Sequence, residues 1–336
     1  MFSHTTKQII PVILACDENY AKYMSVTIAS VVAGTKEQIN FYILDGGISD
    51  NNKEKLELQL RDTGHILKFV QIDTELFGTF PDIAHFSINT YFRYLIPDLE
   101  IKQRKVLYLD VDMVVCGDIA EIYNQNLDNH GIGAVVYADE TFKPKAYGKY
   151  KRRLNIPPEH HYFNAGLLLI DCEYWKKYDI KQKLFEKTAA LKDVLEMPDQ
   201  DVLNIVFNKN YKSLAAQYNL VVDLTAERHD FNNCISKLKG CFVLHFTGGK
   251  GMRPWLHADV PGAKYFWKAA QNSPFYDDLK FDLLSNQVSY IESLFPVKKV
   301  CTIKVFGLLP IFKMKQNKNK KKFYLFGIPL FSMERK

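Results

Sequence analysis

Short apolar runs alternate with helix-like segments along the first 115 residues, and this alternation limits the possible fold more than any other feature of the sequence. The apolar runs cover 9–15, 39–44, 67–72 and 106–115; helical patterns cover 21–32 and 50–62, and 84–95 fits a helix or a turn. Strands that are apolar at nearly every position are typical of sheets buried on both faces. The pattern predicts an α/β protein with a Rossmann-like, mainly parallel sheet flanked by helices.

Charge is distributed unevenly and separates a body from a tail. The formal net charge is +6, but residues 297–336 alone hold 11 basic and 1 acidic side chains. The remaining 33 basic and 37 acidic residues leave 1–296 with a net charge of −4. We expect a globular domain over 1–275, a helical connecting segment over 276–296 and a basic, aromatic tail over 297–336.

Cysteine spacing and the N-terminal residues indicate the compartment. The six cysteines form no Cys-x-x-Cys pair, so neither a zinc site nor a disulfide framework is indicated, and a reducing compartment fits best. Residues 1–8 are polar and lack the charged start and long apolar stretch of a signal peptide. No run approaches the roughly 20 apolar residues of a membrane-spanning helix. These features predict a protein of the cytoplasm.

Two aspartates interrupt the apolar run of 106–115. Burying a carboxylate without a partner costs several kcal/mol, so Asp110 and Asp112 need either water or a cation. Residues two apart on a strand share a face, which would place both carboxylates side by side near the end of the strand. Ligands of parallel sheets bind beyond such strand ends. Because Asp-x-Asp is common, an exposed strand end and a divalent cation site both remain open from this motif alone.

A second chemical cluster follows a short strand predicted over 242–246. His245 lies in this strand, and a loop with three glycines, Gly248 among them, follows with Lys250 and Arg253. Glycines let backbone amides approach a phosphate, although a surface turn would also explain the loop. The loop does not match the P-loop pattern, and no Gly-x-Gly-x-x-Gly follows the first strand, which disfavours an ATPase and a dinucleotide site. An imidazole joined to two carboxylates suits Mn²⁺ or Mg²⁺.

Six ordered segments resemble the motifs of the retaining family 8 glycosyltransferases, which have the GT-A fold. The segments are 15–20 (ACDENY), 85–93 (HFSINTYFR), 105–112 (KVLYLDVD), 162–166 (YFNAG), 199–204 (DQDVLN) and 245–248 (HFTG), the last followed by Pro254-Trp255. The likeness spans roughly residues 9–257 and is greatest to bacterial lipopolysaccharide α-galactosyl- and glucosyltransferases. One such motif would be a weak signal, but six in order favour membership of the family.

The resemblance implies a role for each matching residue. UDP would be bound by Ala15, Asp17, Asn19, Asp110, Val111, Gly248, Lys250 and Arg253. The donor sugar would contact Arg93, Asn164, Ala165, Asp199 and Gln200, and the acceptor would contact His85 and Tyr20. The metal ligands would be Asp110, Asp112 and His245. Taken singly, some have ordinary explanations: Asp199 as a helix N-cap, Asn164 as a turn residue and Arg93 as a solvated helix charge.

The resemblance also implies retention of anomeric configuration, with Gln200 and Asp199 as the catalytic candidates. A double displacement needs a nucleophile, ordinarily a carboxylate, but the matching position holds Gln200, whose amide is a poor nucleophile. We therefore expect front-face attack by the acceptor hydroxyl, with the departing phosphate as the base. Gln200 would stabilise positive charge on the sugar, and Asp199 is the alternative nucleophile.

Two departures from the family pattern concern the diphosphate and the acceptor. The family has a lysine just before the closing Pro-Trp, where this chain has Arg253, and Lys250 stands three residues earlier. In a segment that the family uses near its acceptor, 137–139 (YAD), the acidic residue is shifted. The sequence leaves open which basic residue contacts the diphosphate and which acceptor is used.

The tail contains an approximate tandem repeat over 304–313 and 323–331, separated by a connector rich in Lys and Asn. Gly and Pro inside each unit argue against a long helix. Apolar, aromatic segments flanked by lysines suit an anionic membrane surface, so we expect a membrane-associating extension. The alternatives are a nucleic-acid arm and strands packed on the body; the donor-site motifs favour the membrane over nucleic acid.

The main functional hypothesis is a metal-dependent hexosyltransferase. It would move galactose or glucose from a UDP-sugar to a lipid-linked oligosaccharide of a bacterial surface glycan such as lipopolysaccharide, as a peripheral protein on the cytoplasmic face of the inner membrane. The alternative is a non-catalytic UDP-sugar-binding or glycan-binding protein, which the intact ligand set disfavours. A nucleotidyltransferase with similar paired acids would release pyrophosphate instead of UDP.

Overall fold

The computed structural model describes residues 7–81, 87–137, 144–222, 242–247, 253–294, 299–305, 309–317, 320–325 and 328–334. The chain divides into two compact units, Met1–Lys280 and Phe281–Lys336. Among the residues that the structure describes, no helix is both long and apolar enough to cross a membrane.

Helices and strands alternate through most of the first unit, and four further described strands, β11 to β14, belong to the second. The strands are β1 Ile9–Cys16, β2 Gln38–Asp45, β3 Ile66–Gln71, β4 Lys105–Leu109, β5 Met113–Val115, β6 Ile132–Val136, β7 Phe163–Asp171, β8 Lys212–Ser213, β9 Leu220–Val221, β10 Val243–His245, β11 Lys299–Val305, β12 Leu309–Asn317, β13 Lys320–Leu325 and β14 Ile328–Glu334. The α-helices are α1 Ala21–Gly34, α2 Asp50–Leu60, α3 Ile119–Tyr123, α4 Pro144–Arg153, α5 Cys172–Lys177, α6 Ile180–Leu191, α7 Pro198–Val206, α8 Ala263–Ala270 and α9 Tyr276–Leu294. Short 3-10 helices cover Thr74–Phe77, Ile88–Asp98 and Ala216–Tyr218.

The main sheet has the strand order β3-β2-β1-β4-β7-β6-β8. Strand β7 is antiparallel to β4 and β6, and the other described pairs of this sheet are parallel. Neighbouring residues of β1 belong to different hydrophobic clusters, Val12 to one and Ile13 to the other. Because successive side chains of a strand point to opposite faces, both faces of the sheet are buried. The α/β, mainly parallel architecture is confirmed.

Local sequence signals predict the bounds of the first helices and strands to within a few residues. Helix α2 begins at Asp50, as predicted, because Ser49 caps it: the Ser49 hydroxyl accepts a hydrogen bond from the Asn52 N–H. Helix α1 begins at Ala21, as predicted, and continues to Gly34. Strands β1, β2 and β3 each lie within one residue of the predicted bounds. The segment predicted as helix or turn over 84–95 contains the 3-10 helix Ile88–Asp98, and residues 82–86 lie outside the described residues.

The prediction of one strand over 106–115 is wrong. Strand β4 ends at Leu109, and Met113 begins β5 in a second sheet of order β5-β10-β9. The turn 110–112 connects the two sheets, and the Thr27 hydroxyl of α1 donates to backbone carbonyl oxygens at 111 and 113 (3.0 and 2.8 Å). The two carboxylates are therefore carried by a turn and not by one face of a strand.

The second unit contains an antiparallel sheet of order β11-β12-β13-β14. The first copy of the tandem repeat spans part of the β11–β12 hairpin and the second copy spans part of the β13–β14 hairpin. The repeat thus corresponds to a repeated hairpin, in agreement with the expectation that Gly and Pro exclude a long helix there.

Candidate functional site

A cavity of about 420 Å³ lies where β1 and β4 end and β7 begins. It brings together most of the predicted site residues: Ala15, Asp17, Tyr20, Arg93, Asp110, Val111, Asp112, Asn164, Ala165, Asp199, Gln200, His245 and Arg253. Asn19 belongs to the loop after β1 but does not line the cavity. His85, Gly248 and Lys250 lie outside the described residues. Segments far apart in the chain therefore meet at one edge of the main sheet, as the strand order requires.

Asp110, Asp112 and His245 form a cluster on the wall of this cavity. Their potential ligand atoms all lie within 4.8 Å of one another. The Nε2 atom of His245 is 3.1 Å from Asp112 Oδ1 and 3.6 Å from Asp110 Oδ2. Strands β10 and β5 are antiparallel and pair His245 with Met113, which places the imidazole beside the turn that carries both aspartates. The predicted ligand set is assembled, and cation binding itself stays a prediction.

Two further observations fit a cation at this cluster. Asp112 Oδ1 is shielded from solvent and accepts no hydrogen bond from the described part of the chain. Gly166 faces the cluster, and a Cβ atom there would lie 2.2 Å from His245 Cε1 and 2.7 Å from Asp110 Oδ2. Hard carboxylate oxygens with one imidazole are a ligand set that suits Mn²⁺ or Mg²⁺.

Arg253 contacts the same cluster. Its Nη1 donates to Asp112 Oδ2 and to the backbone oxygen of Phe246. Burial alone would raise the pKa of Asp112, but His245 and Arg253 outweigh burial and hold this pKa well below its usual value. His245 and Arg253 thus keep the carboxylate of Asp112, a predicted metal ligand, charged. Because Lys250 lies outside the described residues, the choice between these two residues for the diphosphate stays open.

Arg93 connects the aspartate cluster to the other side of the cavity. Its Nη2 donates to Asp110 Oδ1 at 2.9 Å, and its Nε lies 3.1 Å from Asp199 Oδ2. The guanidinium also lies 4.2 Å from the ring centre of Tyr108. Burial would lower the pKa of Arg93, but Asp199, Tyr108 and Asp110 raise it, so the side chain stays charged. With a side chain only 4% exposed, Arg93 is not the solvated helix charge of the ordinary explanation.

Asp199 is buried at the start of α7. The N-cap of this helix is Met197, so the ordinary explanation of Asp199 as an N-cap is wrong. Asp199 Oδ1 accepts a hydrogen bond from the Thr90 hydroxyl. Burial, with a smaller contribution from the charge of Asp110, raises the pKa of Asp199, although Arg93 and Thr90 act to lower it. The carboxyl group is thus fixed from two sides within the described structure.

Gln200 lies beside the first residues of β7. Its Oε1 accepts hydrogen bonds from Asn164 Nδ2 and from the Ala165 N–H, both at 3.0 Å, and its Nε2 donates to the Tyr162 hydroxyl at 3.4 Å. The register of β7 against β6 shifts between Ala134 and Val135, which leaves residues 165–167 unpaired with β6. Such irregularities re-aim side chains next to active sites. Here the shift lies next to Asn164, whose side chain lines the cavity beside Gln200 of α7.

The loop after β1 is held in place by its own acidic side chains. Asp17 Oδ1 accepts from the backbone N–H groups of Asn19 (3.0 Å) and Tyr20 (3.3 Å). Glu18 accepts from the Ser49 N–H at 2.8 Å and ties the loop to the start of α2. The second carboxylate oxygen of Asp17, Oδ2, accepts from the Ser87 hydroxyl at 3.4 Å. Asp17 therefore lies on the cavity wall in a fixed orientation, and its role toward a nucleotide stays a prediction.

Several contributing residues carry no separate signal in the sequence. Tyr108 lies inside the segment 105–112, where its residue type alone indicates no role; its hydroxyl donates to Asp110 Oδ1 at 3.0 Å. Thr90 lies likewise inside 85–93. Asn219 lies in no motif, and its contacts with His245 and Asn164 span 26 and 55 residues of chain. Only the folded structure identifies such a residue.

Comparisons with known proteins agree with this geometry. The family model of glycosyl transferase family 8 matches residues 11–259. General stress protein A of Bacillus subtilis (strain 168) is 25% identical over 261 residues, which cover 74% of this chain and 88% of that protein. The lipopolysaccharide 1,2-glucosyltransferase of Escherichia coli (strain K12) is 28% identical over 287 residues, which cover 83% of each.

A solved structure is also similar. The galactosyltransferase LgtC in complex with donor and acceptor sugar analogues superposes with a TM-score of 0.68 and 29% sequence identity. The superposition covers 79% of this chain and 96% of that chain. The likeness therefore extends over nearly the whole of the solved protein.

Proposed function

Because the chain belongs to glycosyltransferase family 8, we propose that this glycosyltransferase is a metal-dependent, retaining enzyme that uses a UDP-hexose as its donor. One observation carries the proposal: the cluster of Asp110, Asp112 and His245 shares a cavity with the amides of Asn164 and Gln200. A diphosphate bound at the cluster would bring the attached sugar to those amides. Family membership makes the chain an enzyme, which sets the non-catalytic alternative aside.

The donor is bound in parts by residues of different segments. Asp17 accepts the imide N–H of uracil, Asn19 reaches the ribose, and Ala15 and Val111 line the nucleotide side. Asp110, Asp112 and His245 would hold Mn²⁺ or Mg²⁺, which would supply positive charge against the charge that develops on departing UDP. Arg93 and Asp199 border the sugar on its other side. The buried charge of Arg93 keeps Asp110 and Asp199 oriented toward the cavity.

Retention follows from attack on the face that UDP leaves. The acceptor hydroxyl oxygen bonds to the anomeric carbon while the bond from that carbon to the phosphate oxygen breaks, and the hydroxyl proton passes to the departing oxygen. Gln200 does not act as nucleophile, because its Oε1 already accepts two hydrogen bonds. Its amide dipole instead stabilises positive charge on the sugar. Asp199 is held by Arg93 and Thr90, which disfavours it as the alternative nucleophile.

The acceptor is proposed from the relatives. Those named as lipopolysaccharide glucosyl- and galactosyltransferases support a glycan of the bacterial surface as acceptor and galactose or glucose as the transferred sugar. Tyr20 lines the cavity and is the described candidate for acceptor contact. Such an acceptor is lipid-linked, so the reaction takes place at the cytoplasmic face of the inner membrane.

An assay of UDP release tests the proposed function. The purified chain is incubated with UDP-galactose, UDP-glucose or UDP-N-acetylglucosamine, with and without Mn²⁺, and with a truncated lipopolysaccharide as acceptor. We expect UDP release with one of the first two donors, a matching mass increase of the acceptor, and loss of both signals with a chelator. Release of pyrophosphate, or donor binding without any turnover, would contradict the proposal.

The tail is proposed to hold the enzyme at an anionic membrane. Residues 297–336 hold 11 basic and 1 acidic side chains. Apolar, aromatic segments of the tandem repeat lie between the lysines of this tail. Strong positive charge next to apolar segments supports association with a negatively charged lipid surface.

Truncation after Pro296 tests this membrane proposal. The truncated protein is expected to release UDP at the full-length rate but no longer to sediment with vesicles of anionic lipid, because each basic residue near the headgroups contributes about 1 kcal/mol. Neutral phosphatidylcholine vesicles are the control, and neither protein should sediment strongly with them. Equal binding of both proteins to anionic vesicles would show that the tail is not the membrane contact.

A further inference from the structure

Asn219 is a buried residue that does not line the cavity but lies directly behind the predicted metal site. It follows the 3-10 helix Ala216–Tyr218 and precedes β9. Strands β9 and β10 are parallel, with Val221 paired to His245. The small sheet thus fixes the distance between Asn219 and His245.

The hydrogen bond between Asn219 and His245 determines which ring nitrogen faces the cluster. His245 Nδ1 lies 3.1 Å from Asn219 Oδ1. Because an amide oxygen only accepts, Nδ1 carries the proton of the neutral ring, and Nε2 presents a lone pair to Asp110 and Asp112. Contacts of this kind orient imidazole ligands for metals.

The orientation of the Asn219 amide is itself fixed by its second partner. Asn219 Nδ2 donates to Asn164 Oδ1 at 2.7 Å, and the same oxygen accepts from the Gly166 N–H at 2.9 Å. A backbone N–H only donates, so the atom of Asn164 at this point must be the oxygen, and the atom of Asn219 that faces it must be the nitrogen. The oxygen of Asn219 is thereby turned toward His245.

The series of hydrogen bonds continues from Asn164 to Gln200, on the side of the cavity predicted to bind the sugar. Asn164 Nδ2 donates to Gln200 Oε1, which also accepts from the Ala165 N–H. Each hydrogen bond in the series from His245 through Asn219 and Asn164 to Gln200 therefore has its donor on the His245 side and its acceptor on the Gln200 side. The backbone N–H groups of Gly166 and Ala165 fix this direction. Hydrogen bonds aligned in this way strengthen one another in a buried site.

We propose that Asn219 is a positioning residue that links the metal site to the sugar-binding amides. It holds His245 in the tautomer that ligates the cation, and through Asn164 it holds Gln200 in the orientation that faces the donor sugar. The inference rests on the proposed function, because it assumes that the cluster binds a cation and that Gln200 contacts the sugar. The inference assigns the orientation of His245 and that of Gln200 to a residue that does not line the cavity.

Two substitutions separate the two tasks of Asn219. Asn219→Ala removes both hydrogen bonds, whereas Asn219→Asp keeps an acceptor for His245 Nδ1–H but has no donor for Asn164. The dissociation constant for Mn²⁺ is measured without any donor, from the electron paramagnetic resonance signal of free Mn²⁺. The kcat for UDP release is then measured at saturating Mn²⁺.

We expect Asn219→Ala to weaken Mn²⁺ binding by about tenfold to a hundredfold, the range typical of residues behind a metal ligand. Asn219→Asp should bind Mn²⁺ at least as tightly as the wild type but lose about tenfold in kcat. Thr188→Ala is the control for a lost buried hydrogen bond, because the buried Thr188 hydroxyl bonds to the Tyr94 hydroxyl (3.2 Å) and donates to Leu184 O (2.8 Å) without contacting the cluster. It should lower the unfolding temperature but leave the Mn²⁺ dissociation constant unchanged.

The outcomes distinguish this inference from the proposed function. A wild-type protein that binds no Mn²⁺ would overturn both. Wild-type Mn²⁺ affinity in Asn219→Ala would overturn only the role toward His245, and a wild-type kcat in Asn219→Asp would overturn only the role toward Gln200. Equal loss of Mn²⁺ affinity in both variants would assign the effect to packing and contradict the tautomer argument.

Discussion

Asp112→Asn is expected to lower the kcat of UDP release by about a thousandfold at saturating donor. Asparagine keeps the shape of the side chain but removes the negative charge that pairs with His245 and Arg253. A bound cation contributes several kcal/mol to stabilising the charge on the leaving group, and about 4 kcal/mol corresponds to this factor. The Mn²⁺ dissociation constant should rise in parallel, as measured on the protein without donor.

Asp98→Asn is the matched control for this substitution. Asp98 is an exposed aspartate whose carboxylate pairs with Lys181 away from the cavity. Its replacement should change neither kcat nor Mn²⁺ affinity, because exposed ion pairs contribute about 0 to 1 kcal/mol. Circular dichroism and the unfolding temperature verify that both variants are folded. A folded Asp112→Asn protein with turnover within threefold of the wild type would remove Asp112 from the metal site.

Gly166→Ala is expected to reduce turnover by at least a hundredfold although it adds only one methyl group. The new Cβ would lie 2.2 Å from His245 Cε1, 2.7 Å from Asp110 Oδ2 and 2.9 Å from His245 Nδ1. Such approaches would force His245 and Asp110 apart, and overpacking of this kind costs about 1 to 3 kcal/mol in stability. The kcat, the Mn²⁺ dissociation constant and the unfolding temperature should all change together.

Gly148→Ala provides the comparison for the added methyl group. Gly148 lies within α4, and the nearest atom to a Cβ there is Arg152 Nη1 at 3.7 Å. Alanine favours a helix over glycine by up to about 1 kcal/mol, so this variant should be equally or slightly more stable and fully active. If Gly166→Ala bound Mn²⁺ as tightly as Gly148→Ala, the close packing around the aspartate cluster would not matter for the site.

Local patterns predicted the elements whose causes are local. Strand β1 and helices α1 and α2 follow from apolar runs, helical periodicity and the Ser49 cap, all of which act within a few residues. No local pattern predicts the split of 106–115, because Met113 and its neighbours are as apolar as β4. Strand β5 instead pairs with β10, where Met113 lies opposite His245, 132 residues later in the chain, and no local periodicity reports such a pairing.

The parts of the candidate site that lie within sequence motifs could be predicted from the sequence. The convergence of Asp110, Asp112 and His245 was anticipated from residue type and from family resemblance. The contact of Arg253 with Asp112 was not, because the sequence suggested a phosphate as the partner of that guanidinium. Asn219 could not be anticipated, since its importance depends on a tautomer and on an amide orientation that exist only after three segments have packed together.

The turn 110–112 has a consequence for the timing of local opening. It is the covalent junction between the main sheet and the small sheet, and His245 closes the same junction from β10. A cation held there would fasten the ends of β4, β5 and β10 together, so that separating them would first require its release. The amide protons of Met113 and His245 should then exchange with solvent more slowly when Mn²⁺ is present, and metal supply would set the lifetime of the assembled site as well as its chemistry.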